Sequence, residues 1–290
     1  MKSFKLSPRR TKEQRAAEIA EQSTLNAPLP APLRKLSIAV PQDGLRIAVM
    51  PDAQVRPGVP TDHIAAYGQY IAAKRPDVIV CIGDFADMPS LSKYDGPGAK
   101  AHAGYTYKGD VDSVHAAMDA FMTPIAKAKG YKPKLVMTLG NHEDRITRAA
   151  ATEELRASFG GELSDLGYAG HGWQVIPFLQ PIEIGGVAFC HYFPAGVMGR
   201  ALSTAAGILR KYHQSAFAGH LQGRDIAYGR RATGQSMTAI ISGSFYQHHE
   251  DYLSPLTNQH WRGAWFLHEV KDGQFDEMAL SLGYLLRKFK

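Results

Sequence analysis

The sequence predicts an α/β protein, and three observations carry that prediction. Short apolar runs alternate with helix-period segments through the first half of the chain. From Trp173 onward the pattern changes to shorter strands separated by tight glycine turns. The 290 residues are 44% hydrophobic, enough for one large core or two small ones. No apolar run approaches the ~20 residues that a membrane span needs.

Thr11 to Gln22 reads as a short helix with Thr11 as N-cap, and Ala27 to Pro32 as a stiff extended linker. Residues 1–36 are expected to form an arm, and residues 37–290 one main domain. Leu45–Met50 is the first strand of that domain, followed by a Pro/Gly loop and a helix over Thr61–Lys74. Val78–Ile82 is the next strand. A long polar loop, Met88–Gly109, leads to a helix over Asp110–Lys129, and strand Leu135–Leu139 precedes a helix starting near His142. These are βαβ units, so their strands are expected to be parallel. In the second half, Gly185-Gly186 separates Pro181–Ile184 from Val187–Cys190 as a hairpin turn. A helix over Ala201–Tyr212 precedes strand Ala216–Ala218. Ser236–Ile241, Gly263–Val270 and Phe275–Ser281 follow, the last two joined through Asp272-Gly273.

Nearly all of the net charge of +6 lies in residues 1–36, where eight basic residues face three acidic ones. The basic balance therefore describes an arm and not a basic catalytic face. Such an arm is an expected electrostatic contact for nucleic acid, with a solvated tail as the plainer alternative. The basic N-terminus has no apolar stretch before a cleavage site, which argues against a secretory signal. Cys81 and Cys190 lie inside apolar strand patterns and read as buried free thiols, which suits a reducing cytoplasm. No membrane partner is expected, and the oligomeric state is left open.

Five polar clusters sit at the ends of these apolar runs: Asp52-Ala53-Gln54, Gly83-Asp84, Gly140-Asn141-His142-Glu143, His191 and Gly219-His220-Leu221-Gln222. Strand ends are where an open α/β sheet gathers polar groups around a crevice. Carboxylate, amide and imidazole groups there are suitable ligands for Mn, Fe, Zn, Ni or Mg.

The ordered series, with Gly83-Asp84-Phe85-Ala86-Asp87 as its second member, resembles the calcineurin-like metallophosphoesterase superfamily over about residues 45–225. Its texture also resembles phosphoesterases of some tailed bacteriophages. The resemblance implies two packed, mixed β-sheets flanked by helices, with two divalent metal ions at the C-terminal ends of the strands. It implies a metallophosphoesterase domain over residues 37–290, acting on a phosphoester substrate through a metal-bound hydroxide. A phosphodiesterase or nuclease is the first expectation and a phosphomonoesterase the second. A binding or assembly module that has lost one metal site is the rival from another class. The setting implied is the cytoplasm, that of a host cell if the chain is phage-encoded.

Roles follow from the resemblance in the same way. Asp84 would bridge the ions, with Asn141, His191 and His220 completing one site and Asp52, Gln54 and Gln222 at the other. His142 would stabilise the transition state or protonate the leaving oxygen, with Asp87 orienting its imidazole. Arg145 would contact substrate phosphate, or else serve only on the surface of the following helix. The family pattern has histidine where this chain has Gln54 and Gln222. A glutamine carbonyl is a harder, weaker ligand than imidazole, so that site is expected to bind less tightly and to favour Mn or Mg over Zn. Mn is the first expectation overall.

Other motifs have plainer readings. His248-His249-Glu250-Asp251 reads as a solvated or substrate-edge loop, because neighbouring residues rarely converge on one ion. His260-Trp261-Arg262 reads as packing plus a surface arginine. Arg230-Arg231 reads as a hairpin tip. The loop Tyr94–Tyr107, flanked by Lys93 and Lys108 and containing Lys100, would cover substrate or be a mobile insertion.

Overall fold

The computed structural model describes residues 33–92, 104–151, 159–250 and 259–289. The helix and linker expected between Thr11 and Pro32 lie outside the described residues, as do residues 93–103 of the long loop and Asp251. The main compact unit begins at Leu33.

Its first strands are β1 (Arg34–Lys35), β2 (Leu45–Met50), β3 (Val78–Cys81), β4 (Lys134–Thr138), β5 (Gln174–Ile176) and β6 (Ile182–Ile184). The rest are β7 (Val187–Cys190), β8 (Ala216–Ala218), β9 (Arg224–Arg230), β10 (Ser236–Ser242), β11 (Gly263–Lys271) and β12 (Gln274–Ser281). They form two six-stranded sheets, ordered β12-β11-β2-β3-β4-β5 and β1-β6-β7-β8-β10-β9. Strands β2 to β5 run parallel, as do β7, β8 and β10, while β11, β12, β6 and β9 add antiparallel pairings. Both sheets are therefore mixed. Because β1 pairs with β6, Arg34 and Lys35 belong to a sheet although they fall in the stretch read as the arm.

Alternation along the central strands explains the layers. Ile47, Val49, Val78, Val80 and Val136 face between the sheets, where they meet Ile182, Phe189, Phe217, Ile240 and Trp265. The opposite sides of the same strands, through Ala48, Met50, Ile79, Cys81 and Met137, are covered by α1 (Asp62–Lys74) and α2 (Tyr107–Lys127). Strands buried on both faces read as continuous apolar runs, which is why they were legible. A short helix, α3 (Asp144–Ala149), follows β4, and α4 (Ala205–Tyr212) packs Ile208 and Leu209 on the outer face of the second sheet. The helix α5 (Leu282–Phe289) was not anticipated. It buries Leu285 in the core shared with α1.

Capping moves two helix starts from their expected places. The Thr106 hydroxyl accepts a hydrogen bond from the Gly109 amide at 3.1 Å, starting α2 at Tyr107 and not Asp110. The Thr204 hydroxyl does the same for Gly207 at 3.1 Å, so α4 starts at Ala205 and not Ala201. Strand β9 was missed because it is an edge strand with exposed and half-buried residues. Its turn into β10 places Arg230-Arg231 at the hairpin tip, as expected. Both cysteines are buried and unbonded to each other. Among the described residues, no helix is long and apolar enough to cross a membrane.

Candidate metal centre

The five clusters come together because β2, β3, β4, β7 and β8 all end at one edge of the sandwich. The loops after β2 and β3 are stitched by main-chain bonds: Gln54 N–H donates to Asp84 O at 2.9 Å, and Val55 N–H to Phe85 O at 2.8 Å. The loop after β2 is also tied to the loop after β10, where Phe245 N–H donates to Asp52 O at 2.8 Å. Backbone conformation then aims the side chains. Gln54, Asp84 and His220 have φ of 45°, 50° and 67°, a left-handed region that costs most residues about 1 kcal/mol or more. Gly83, at φ 95°, has no room for a side chain, since a Cβ would lie 2.6 Å from Gly140 N and 2.8 Å from His191 Nδ1.

Glu143 was quoted within a motif but given no role by the sequence, and it is fully buried. Its carboxylate accepts from the amides of Asp84 at 3.0 Å, Ala86 at 3.0 Å and Gly140 at 2.9 Å, with Tyr168 OH at 3.3 Å. One side chain thus holds the loops after β3 and β4 in fixed register.

Four ligand-type atoms converge above these loops. His191 Nδ1–H donates to the Ile82 carbonyl at 2.9 Å, which turns Nε2 toward Asn141 Oδ1 at 3.0 Å and Asp84 Oδ2 at 3.2 Å. Asn141 Oδ1 also meets His220 Nδ1 at 2.8 Å. Asp84, His191 and His220 present ligand atoms within 4.8 Å of one another, a grouping able to hold a metal ion. Asp84 Oδ1 is fixed separately, accepting from His142 N–H at 2.9 Å.

Asp52 and Asp84 are both buried. Burial pushes the Asp52 carboxyl up, partly offset by His191. Burial opposes the charge of Asp84 as well, yet His142 and His191 outweigh it and hold that carboxyl low. Burial likewise disfavours a charged His191, but Asp84 and Asp52 outweigh it and raise the imidazole to about 9. Burial and the neighbouring His191 push His220 down to about 4. Asp52 binds the opposite loop, accepting from His220 N–H at 2.9 Å through Oδ2.

Gln54 and Gln222 provide the fit test for a second ion. Both carbonyl oxygens, Gln54 Oε1 and Gln222 Oε1, are buried without a hydrogen-bond partner. Both residues line the same open cavity of about 670 Å³ as Asp84, Asn141, His142 and His220. A buried amide carbonyl left unpaired is unfavourable by about 1–3 kcal/mol. A cation held by these carbonyls would relieve that deficit.

His142 sits beside this group with Nδ1–H donating to Asp87 Oδ1 at 2.8 Å and to Asp87 O at 2.9 Å. Its Nε2 lies 3.3 Å from Arg145 Nη2, which donates to it, and 3.7 Å from Asp84 Oδ2. The neutral ring is therefore met by a donor and the protonated ring by a carboxylate. Burial works against a charged ring, but Asp84 and Asp87 raise its pKa. Arg145 is not a plain surface residue: its side chain is 11% exposed, and Nη1 donates to the carbonyls of Asp87 at 2.8 Å and Met88 at 3.2 Å.

Two other motifs resolve differently from each other. Of the solvated or substrate-edge loop expected at His248-His249-Glu250-Asp251, the solvated reading is overturned for His248 and Glu250. Glu250 is 4% exposed and its carboxylate meets His248 Nε2 at 2.6 Å. The reason is Arg56, which sequence inspection passed over and which donates to Glu250. His260-Trp261-Arg262 is packing, with the Trp261 and Trp265 rings 5.5 Å apart. Arg262, however, is half-buried and not on the surface as expected, because it lies 4.7 Å from the Tyr246 ring and donates to Gln247 O at 3.2 Å.

No family model and no curated protein matches the chain. Among solved structures it is similar to a dimetal phosphatase from Danio rerio, at 10% sequence identity and a TM-score of 0.38. That similarity covers 82% of this chain and 96% of the other, and at this level it bears on neither activity nor substrate.

Proposed function

We propose that this chain is a metal-dependent phosphoesterase whose first substrate class is the phosphodiester. The observation that carries the reading is the convergence of Asp84, Asn141, His191 and His220 beside two orphaned glutamine carbonyls. Asn141, His191, His220 and Asp84 would hold one ion, and Asp84, Asp52, Gln54 and Gln222 a second. When bound, divalent ions supply Lewis-acid charge to phosphoryl oxygens and lower the pKa of attacking water. His142 contributes the proton chemistry. With Nδ1–H fixed on Asp87, its Nε2 is the atom that carries a proton to a departing oxygen.

The diester is our first choice because the positive charge of residues 1–36 suits a polyanion. Among the described residues lining the cavity, Arg224 is the one guanidinium, lying 4.7 Å from the Trp261 ring, while Arg145 is committed to backbone carbonyls. Nucleic acid is the polyanionic diester we propose, met also by the basic residues 1–36.

Metal-stripped protein refilled with Mn, Mg, Ni or Zn tests the reading. It is expected to cleave bis-p-nitrophenyl phosphate faster than p-nitrophenyl phosphate, with Mn most effective. Folded protein that binds no metal, or turns over neither substrate with any of the four, would remove the proposal.

The glutamine ligands also have a consequence of their own. Replacing Gln222 by His is expected to tighten Zn binding at the weaker site by about tenfold or more, since imidazole suits Zn better than an amide carbonyl. Calorimetric titration of stripped protein would read this as a second tight equivalent, and an unchanged isotherm would place Gln222 outside the ligand set.

A further inference from the structure

Behind His142 lies a buried chain of charges that lines no part of the cavity. Asp87 divides its two oxygens. Oδ1 accepts from His142 Nδ1–H at 2.8 Å, and Oδ2 from Arg56 Nη1–H at 2.6 Å. The same Arg56 nitrogen donates to both oxygens of Glu250 at 3.1 Å, and Glu250 Oε1 is met by His248 Nε2 at 2.6 Å. The side chains of Arg56, Asp87, Glu250 and His248 are 15%, 8%, 5% and 9% exposed.

A buried ionic cluster of this kind is poor value as stability alone, because apolar side chains of similar volume serve as well or better. What it does supply is direction. The rotamer of Asp87 is set from one side by the imidazole and from the other by a guanidinium that cannot swing away while Glu250 holds it. Removing Glu250 would leave Arg56 free to take both oxygens of Asp87, in competition with His142.

We propose that Arg56 and Glu250 are positioning residues that fix the Asp87–His142 pair, so that a loop 194 residues along the chain from Arg56 sets the aim of the leaving-group acid. The inference rests on the function proposed above for His142. Its structural half, the orientation of the ring, stands on the hydrogen bonds alone.

The test compares wild type, Glu250→Gln and Arg56→Lys, the last keeping a positive charge but not the rigid planar head group whose one nitrogen reaches both carboxylates. Nitrogen-15 spectra of histidine-labelled protein, with His142→Ala to identify the signal, report the Nδ1–H hydrogen bond directly. Both variants are expected to shift or broaden it. Turnover of manganese-loaded protein is read on two diesters that differ in leaving group, bis-p-nitrophenyl phosphate and diphenyl phosphate. A misaimed acid harms the poorer leaving group more, so Glu250→Gln should lose about tenfold on diphenyl phosphate and under about threefold on the nitrophenyl diester. Equal losses on both, or a His142 signal unchanged in both variants, would overturn the proposal. If wild type cleaves neither diester, the assigned function falls, and the nitrogen-15 comparison still decides whether Glu250 orients His142.

Discussion

Replacing His142 by alanine is expected to lower kcat on phosphodiesters by about 10²–10⁴, the usual contribution of a placed general acid. KM should change little, because His142 reaches the reaction through Nε2 and its ring is anchored behind by Asp87. The loss should grow as the leaving group becomes a poorer one. Metal content after dialysis should match wild type, since the hydrogen bond that His142 gives the ligand group comes from its backbone N–H, its ring Nε2 staying 3.7 Å from Asp84 Oδ2. Steady-state kinetics on both diesters, with metal analysis of the same samples, checks all of this. An alanine variant with full activity on the poorer leaving group would show that His142 is not the acid.

Changing Asp84 to asparagine is expected to have the other large effect. Asparagine keeps the shape, tolerates the left-handed backbone at φ 50° better than alanine would, and removes the charge facing His191 and His142. Asp84 is also the residue expected to touch both ions, so bound metal and metal-dependent turnover should fall together. Altering groups that merely support a ligand already costs 10–100-fold in affinity or activity, so a loss of at least about 10²-fold is expected here. Equilibrium dialysis against Mn, followed by turnover at saturating Mn, separates affinity from chemistry. Retained stoichiometry with retained rate would exclude Asp84 from the site.

What could be read from the sequence, and what could not, divides along a physical line. Each strand-end cluster is a few contiguous residues following an apolar run, so its chemistry and its position are both local. The same holds for strands such as Leu45–Met50 and Ala216–Ala218, whose expected bounds match the structure. The pairing of Asp87 with His142 was also expected, on resemblance, and the two are in direct contact. The clamp was not legible, because Arg56 and Glu250 meet across 194 residues, and the run His248-His249-Glu250-Asp251 carries no sign of what Glu250 meets. Glu143 was hidden differently: three of its partners are backbone amides, which leave no trace in side-chain patterns. Strand β9 and helix α5 were missed because one is half exposed and the other follows a strand without a turn residue.

Strand β2 carries the loop of Asp52 and Gln54, and its neighbour on one side is β11, with Trp265 opposite Val49 and Leu267 opposite Ile47. The first strand of the central sheet is thus completed by one of the last. During synthesis, β2, β3 and β4 can assemble early, but β2 remains an uncovered apolar edge until residues 263–271 arrive. Such an edge is an invitation to pair with another chain, and contacts this distant in sequence form late. Phe245, which anchors the Asp52 backbone, also comes from the later part of the chain. A ribosome stalled before β11 would therefore hold a nascent chain with every candidate ligand made and a sticky strand exposed.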